Sequence, residues 1–141
     1  MINIYPLRAH IEDTDCSGLV FHSNYLNFME RARSEWMDQL GMGLEWQRVR
    51  HLYFVVHSAT IKFIKPARAH DRLEVVSSIL ALRHASIIFD QYLRPEGMTD
   101  KILCRAEIKI ACVDYAMQPT PITHLLAESS GKFNELINRR E

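Results

Sequence analysis

The sequence predicts an α+β domain in which one long helix packs on a face of an antiparallel sheet. Three observations predict it. Apolar residues recur at helical spacing across 23–40, the period falls to two from residue 53 onward, and the strand-like segments are joined by short turns. Strands joined by short turns run antiparallel, and a single helix covers only one sheet face. The uncovered face and the sheet edges point to a homo-oligomer.

Each element follows from its residues. Residues 2–11 read as a first strand, and Pro6, which cannot donate to a sheet ladder, places it at an edge. Residues 12–21 read as a loop. Tyr25, Met29, Ala32, Trp36 and Leu40 step by 4, 3, 4 and 4, which is one face of a helix over about 23–40. Ser23 or Asn24 suits its N-cap, and Gly41 suits its end. Residues 43–51 predict a short second helix. The β-rich run from Tyr53 to Ile64 stops at Pro66. Residues 73–82 and 85–93 are two further strands with Arg83-His84 between them, and Arg94-Pro95-Glu96-Gly97 reads as a turn. From Leu103 to Val113, Ala106, Ile108, Ile110 and Cys112 share one face while Arg105, Glu107 and Lys109 share the other. Pro119 and Pro121 then break the chain, and 122–138 predict a C-terminal helix despite Gly131.

Composition narrows the function classes. At 141 residues, one domain spanning 1–141 with a sizeable core is expected. Lys plus Arg and Asp plus Glu both number 17, so there is no electrostatic case for binding nucleic acid. No apolar run nears the roughly 20 residues of a membrane span. The start, MINIYPLRAHIED, lacks the basic and apolar regions of a signal peptide. Cys16, Cys104 and Cys112 are odd in number and far apart. That pattern predicts neither a disulfide framework nor a metal site, and suits a reducing cytoplasm.

The segment from Glu12 to Arg33, EDTDCSGLVFHSNYLNFMERAR, concentrates the chemistry. It joins an acidic turn (Asp13, Asp15, Gly18) to His22 and then to the long helix. A carboxylate there is a base or nucleophile, and the free N–H groups of the helix start stabilise charge on a substrate oxygen. Other readings compete. Asp13 to Gly18 opens like a calcium-binding EF-hand loop, but the closing glutamate position holds Asn24 and no helix precedes the loop. A plain structural turn accounts for the D-x-D, although Leu19-Val20-Phe21 beside it suggest a partly desolvated pocket, where a carboxylate becomes a stronger base. Cys16, six residues before His22, permits Cys/His catalysis, against a small side chain packed in the turn. No G-x-S-x-G elbow is present. His22 reads as a general acid or base, a substrate ligand, or simply a helix-start histidine.

The string D-T-D-x-x-G-x-V-x-H-x-N-Y-L-x-F-x-E-R-A-R resembles the signature of hotdog-fold acyl-CoA thioesterases of the 4-hydroxybenzoyl-CoA thioesterase type. Within them it is similar to the bacterial branch encoded beside the Tol–Pal cell-envelope system. Ile64-Lys65-Pro66-Ala67 and His70-Asp71-Arg72-Leu73-Glu74-Val75 extend the resemblance over roughly residues 3–118. It implies a curved antiparallel sheet wrapped around a long central helix. It also implies a homodimer or homotetramer with sites at the subunit interface, and an acyl-CoA substrate, with no cofactor or metal. By motif position the catalytic aspartate falls on Asp15. The residue whose backbone N–H polarises the thioester carbonyl falls on His22. Gly18, Val20, Phe21 and Tyr25 border the substrate. Cys16 stands at a variable position.

Glu30, in the E-R-A-R segment, is the second catalytic candidate, because some hotdog thioesterases use a helix carboxylate. Its alternative is an ion pair with Arg33. Lys62, Lys65, Arg68, Arg72, Arg83, His84 and Arg94 are candidate neighbours of the coenzyme A phosphates. Two other functions stay open. One is a non-catalytic module that binds acyl groups or acyl carrier protein. The other is a hotdog dehydratase using a histidine with an acid.

Overall fold

The computed structural model describes residues 1–122. Its elements are β1 (Ile2–Arg8), α1 (Asn24–Gln39), α2 (Leu44–Val49), β2 (Leu52–Phe63), β3 (Arg72–Leu82), β4 (Ser86–Pro95) and β5 (Cys104–Asp114), with a 3₁₀ turn over Ile11–Asp13. The five strands form one antiparallel sheet in the order β1-β3-β4-β5-β2. β1 pairs only with β3, so Pro6 does sit on an edge strand, opposite Glu74. β2 does not pair with β3, the next strand in the chain. It pairs with β5, from Leu52 opposite Asp114 to Phe63 opposite Cys104, and forms the other edge. Bulges between Val56 and Ser58 and between Ile79 and Ala81 bend the two longest ladders.

The helix packs on one sheet face, as the periodicity predicts. Phe28, Met29, Ala32 and Trp36 are buried in one core with Leu73, Val75, Ile87, Phe89, Leu93 and Ile108. The Trp36 and Phe89 rings meet edge-on at 6.0 Å. Burying each such large side chain contributes about 1.5–3 kcal/mol. In β5, Ala106, Ile108, Ile110 and Cys112 are buried and Arg105 and Glu107 are exposed, which matches the alternation.

Two local expectations change. Neither Ser23 nor Asn24 caps the helix through an accepting side chain; the Asn24 amide instead donates to the Asp13 carbonyl at 2.8 Å. The helix does end at Gly41, with φ +84°. There Met42 N–H reaches the Met37 carbonyl and Gly41 N–H the Asp38 carbonyl, a complete Schellman motif. The turn expected at 94–97 starts later, because β4 runs through Pro95, pairing Arg94 with Glu74 and Pro95 with Leu73. The Arg94–Glu74 ion pair, 2.9 Å long and largely buried, holds that extra length. The expected C-terminal helix over 122–138 lies outside the described residues, apart from Ile122, which is buried.

Candidate active site

The acidic loop is organised by its own side chains. The Asp13 carboxylate accepts the His10 N–H at 2.8 Å, and its carbonyl accepts both the Phe21 N–H and the Asn24 amide. Asp13 is therefore a structural residue of this loop. Next comes a tight turn: Gly18 N–H donates to the Asp15 carbonyl at 3.1 Å, and Asp15 N–H donates to the Leu19 carbonyl at 2.9 Å. Gly18 has φ +80°, a left-handed conformation that favours glycine, although a side chain there would meet nothing nearby.

The loop is strapped to the segment that follows β2. Val20 N–H donates to the Ala67 carbonyl, and Ala69 N–H donates to the Gly18 carbonyl. The buried Tyr25 hydroxyl accepts the Ala67 N–H at 3.0 Å, and its burial raises its pKa. Tyr25 thus anchors the wall opposite the helix start.

Between these parts lies an open cleft of about 310 Å³. Asp15, Val20, Phe21, His22 and Tyr25 line one side, and Phe63, Ile64, Lys65 and Pro66 the other. Five of the residues singled out by the motif therefore meet in one place. Gly18 does not line the cleft; it turns the chain beneath it. The His22 ring packs against Phe21, with centroids 4.3 Å apart, and faces Phe63 edge-on at 6.4 Å. The N–H groups of His22 and Ser23 precede the Asn24 N–H, which bonds to the Phe21 carbonyl, and have no acceptor among the described residues.

Asp15 differs from the desolvated carboxylate that its apolar neighbours suggest. It is fully exposed, and its pKa lies below 3.8. The largest cause is the Ser17 hydroxyl, followed by the Ser17 N–H; both donate to Oδ1, the N–H at 2.8 Å. The Ser17 hydroxyl and N–H thus tether Oδ1, and the backbone N–H groups of Leu19 and Asp15 add to the lowering.

Glu30 is absent from this cleft. It lies further along α1 and pairs with Arg33 at 2.5 Å, the ion-pair alternative for this residue. Among the basic candidates only Lys65 borders the cleft, and Arg94 is committed to Glu74. Among the described residues no group of three or more His, Cys, Asp or Glu could hold a metal ion. Cys16 is exposed and free.

Sequence reasoning missed a buried polar network. Gln91 is fully buried on β4; its carbonyl accepts from Arg33 at 2.8 Å, and its amide donates to the Met29 carbonyl and to the Ser77 hydroxyl. The signal was present: Gln91 shares a period-two apolar face with Phe89 and Leu93, and Arg33 sits one turn after Met29.

The thioesterase-like superfamily model matches residues 9–129 of this chain. The acyl-CoA thioester hydrolase YbgC of Escherichia coli O6:H1 is 34% identical over 110 residues, covering 78% of this chain and 81% of that protein. The acyl-CoA thioesterase YbgC of Haemophilus influenzae is 37% identical over 114 residues, covering 78% and 79%. Among solved structures, a probable thioesterase from Bartonella henselae superposes with a TM-score of 0.73 at 30% identity, covering 86% of this chain and 98% of that one. With the sheet order already described, these matches lead to one assignment: the chain belongs to the thioesterase-like superfamily and has its hotdog fold.

Proposed function

We propose that the chain hydrolyses the thioester of acyl-CoA to a free acid and coenzyme A. The observation that supports it is the meeting of Asp15 and the unpaired His22 N–H at one cleft. In this reading the thioester carbonyl oxygen lies at the helix start. As the carbonyl carbon is attacked, its oxygen gains charge, which the His22 N–H and the helix terminus stabilise by a few kcal/mol. Asp15 acts in one of two ways. It takes a proton from the attacking water, or its Oδ2 attacks the carbonyl and forms a mixed anhydride that water then hydrolyses. Collapse of the tetrahedral intermediate expels the coenzyme A thiolate, which takes up a proton. Thiolate is a good leaving group, so this route calls on no cofactor.

Asp15→Asn tests the assignment. It should fold normally, by circular dichroism, and lose about 10²–10⁴-fold in acyl-CoA hydrolysis. Undiminished turnover would remove Asp15 from the mechanism. His22 is tested by a pair: His22→Ala keeps the backbone N–H and should retain most activity, whereas His22→Pro removes that donor and should not. The reverse pattern, with hydration of an enoyl thioester, would favour the dehydratase reading. Binding of acyl groups or acyl carrier protein without turnover would favour the non-catalytic module.

We read residues 1–141 as one such domain, acting in the cytoplasm as a homodimer or homotetramer. The open edge of β2 supports the oligomer: it is 12 residues long, and Tyr53, Val56 and Phe63 are exposed along it. No helix among the described residues is long and apolar enough to cross a membrane.

A further inference from the structure

One carbonyl oxygen ties the acidic loop to the helix start. The Asp13 carbonyl accepts the Phe21 N–H at 2.9 Å and the Asn24 side-chain amide at 2.8 Å. His22 and Ser23, whose N–H groups have no acceptor among the described residues, lie between those two donors in sequence. The same oxygen therefore pins the chain on both sides of the proposed oxyanion donor. In the other direction, Asp13 leads to Asp15 through Thr14 alone. Thr14 is held too: its N–H and its hydroxyl both donate to the Ile11 carbonyl, at 3.0 and 2.7 Å. The Asp13 carboxylate accepts the His10 N–H, which holds the residue that carries the shared carbonyl.

Asn24 makes the side-chain half of this link. It opens α1, yet its amide leaves the helix and reaches back 11 positions to Asp13. Its Oδ1 accepts the Asn27 amide at 2.9 Å, so both ends of the Asn24 amide group are engaged and its orientation is set. The helix does not depend on this bond. The Asn24 backbone N–H already donates to the Phe21 carbonyl, and the apolar face of α1 is buried in the core. Nor does Asn24 line the cleft. What its bond adds is a fixed separation between Asp15 on the turn and the His22 N–H at the helix start. A shift of about 1 Å between reacting groups costs up to about 10²-fold in rate.

We infer that Asn24 is a positioning residue: its amide, bonded to the Asp13 carbonyl, sets where the His22 N–H stands relative to Asp15. This rests on the thioesterase reading, and adds to it a residue that touches no reacting atom.

The test is Asn24→Ala in the full-length protein. Alanine favours the helix and removes only the side-chain bonds. With an acyl-CoA substrate, kcat should fall at least about tenfold while KM stays within about threefold, because a transition-state contact is loosened and ground-state binding is not. A smaller fall in kcat, or a loss confined to KM, would overturn the proposal. Adding Asn24→Ala to His22→Pro, which already lacks the donor, should cost less than about twofold more. A further loss of about tenfold would mean that Asn24 acts elsewhere, and would also overturn it. Amide hydrogen exchange, read residue by residue by NMR, needs neither turnover nor the proline variant. The Phe21 N–H should exchange at least about tenfold faster in Asn24→Ala, with the β5 amides unchanged. Unchanged Phe21 exchange, or faster exchange along β5 as well, would refute the positioning role. Faster exchange at Phe21 alone, in a protein whose wild type hydrolyses no acyl-CoA, would uphold the tether while overturning the thioesterase assignment.

Discussion

Replacing Gln91 with methionine should destabilise the fold far more than a surface change of the same size. The side chain is fully buried and makes three hydrogen bonds, accepting from Arg33 and donating to Ser77 and to the Met29 carbonyl. Methionine preserves the length and removes all three. The bond from Arg33 is charge-assisted and worth roughly 1.5–3 kcal/mol, and the bond to Ser77 roughly 0.5–1.5. The Met29 carbonyl is a helix acceptor with its own intrahelical partner, so its loss adds little. The better burial of methionine offsets part of the total, which leaves a cost of about 2–4 kcal/mol. With a urea m-value of about 2 kcal/mol/M for a domain of this size, the unfolding midpoint should fall by about 1–2 M. Both proteins must be compared at one concentration, because an oligomer's stability depends on it. A fall below about 0.3 M would refute the reasoning, since it would mean that the network contributes no more than a surface contact. A double-mutant cycle with Arg33→Met localises the effect: the Gln91 substitution should cost less once Arg33 is gone.

Other perturbations follow from single features. His70 adopts φ +72°, a left-handed conformation that costs a residue with a side chain about 1–2 kcal/mol, so His70→Gly should leave Tm unchanged or raise it by a few degrees, and a clear fall would refute the strain. Cys104 and Cys112 are fully buried with pKa values pushed up to about 12 and about 11 by burial, whereas Cys16 is exposed. A thiol-reactive dye should therefore label one thiol in the native protein, lose that reaction in Cys16→Ser, and find all three cysteines after denaturation. Because Ser17 holds the Asp15 carboxyl below 3.8, Asp15 stays ionised as pH falls from neutrality, and any stability its ionised form adds is lost only below that value. Hydrolysis should show no acid limb from Asp15 above about pH 5, and Ser17→Ala, which removes the strongest donor, should move that limb upward.

The elements were legible because local rules and the fold agree. The 4, 3, 4 and 4 spacing of the helix face, Pro6 on the edge strand and the alternation along β5 each reflect a pattern of burial that one residue's neighbours in sequence reveal. The sheet order was not legible. β2 pairs with β5 because the link 64–71 carries the chain across the sheet, where Ile64 and Lys65 N–H groups both reach the Leu103 carbonyl. No local signal states where such a link leads. The length of β4 was hidden for a similar reason: Arg94 and Pro95 read as a turn until Glu74 is seen opposite Arg94. In the site, the motif placed Asp15, His22 and Tyr25 together, but the protonation of Asp15 and the burial of Arg33 depend on Ser17 and Gln91, whose roles appear only when side chains meet.

In the proposed hydrolysis, the state of Asp15 bears on which role it would take. A general base is most effective when its pKa lies near the working pH, and a carboxyl held below 3.8 is a weak base toward water. A nucleophile needs only to be ionised, which the lowered pKa of Asp15 favours, and Ser17 holds its Oδ1 in place. Yet the carboxylate is a better leaving group than thiolate, so the anhydride it forms would revert unless water intervenes quickly. Both routes gain if the cleft is closed. Covering the exposed carboxylate removes water, raises its pKa by desolvation, and strengthens the attraction between the helix terminus and the developing oxyanion. The described chain leaves this cleft open beside exposed Phe21, Phe63 and Ile64. A substrate acyl chain lying on those side chains, or a second subunit pairing along β2, would supply that closure. The same burial that holds the substrate would then activate Asp15 in either of the proposed roles.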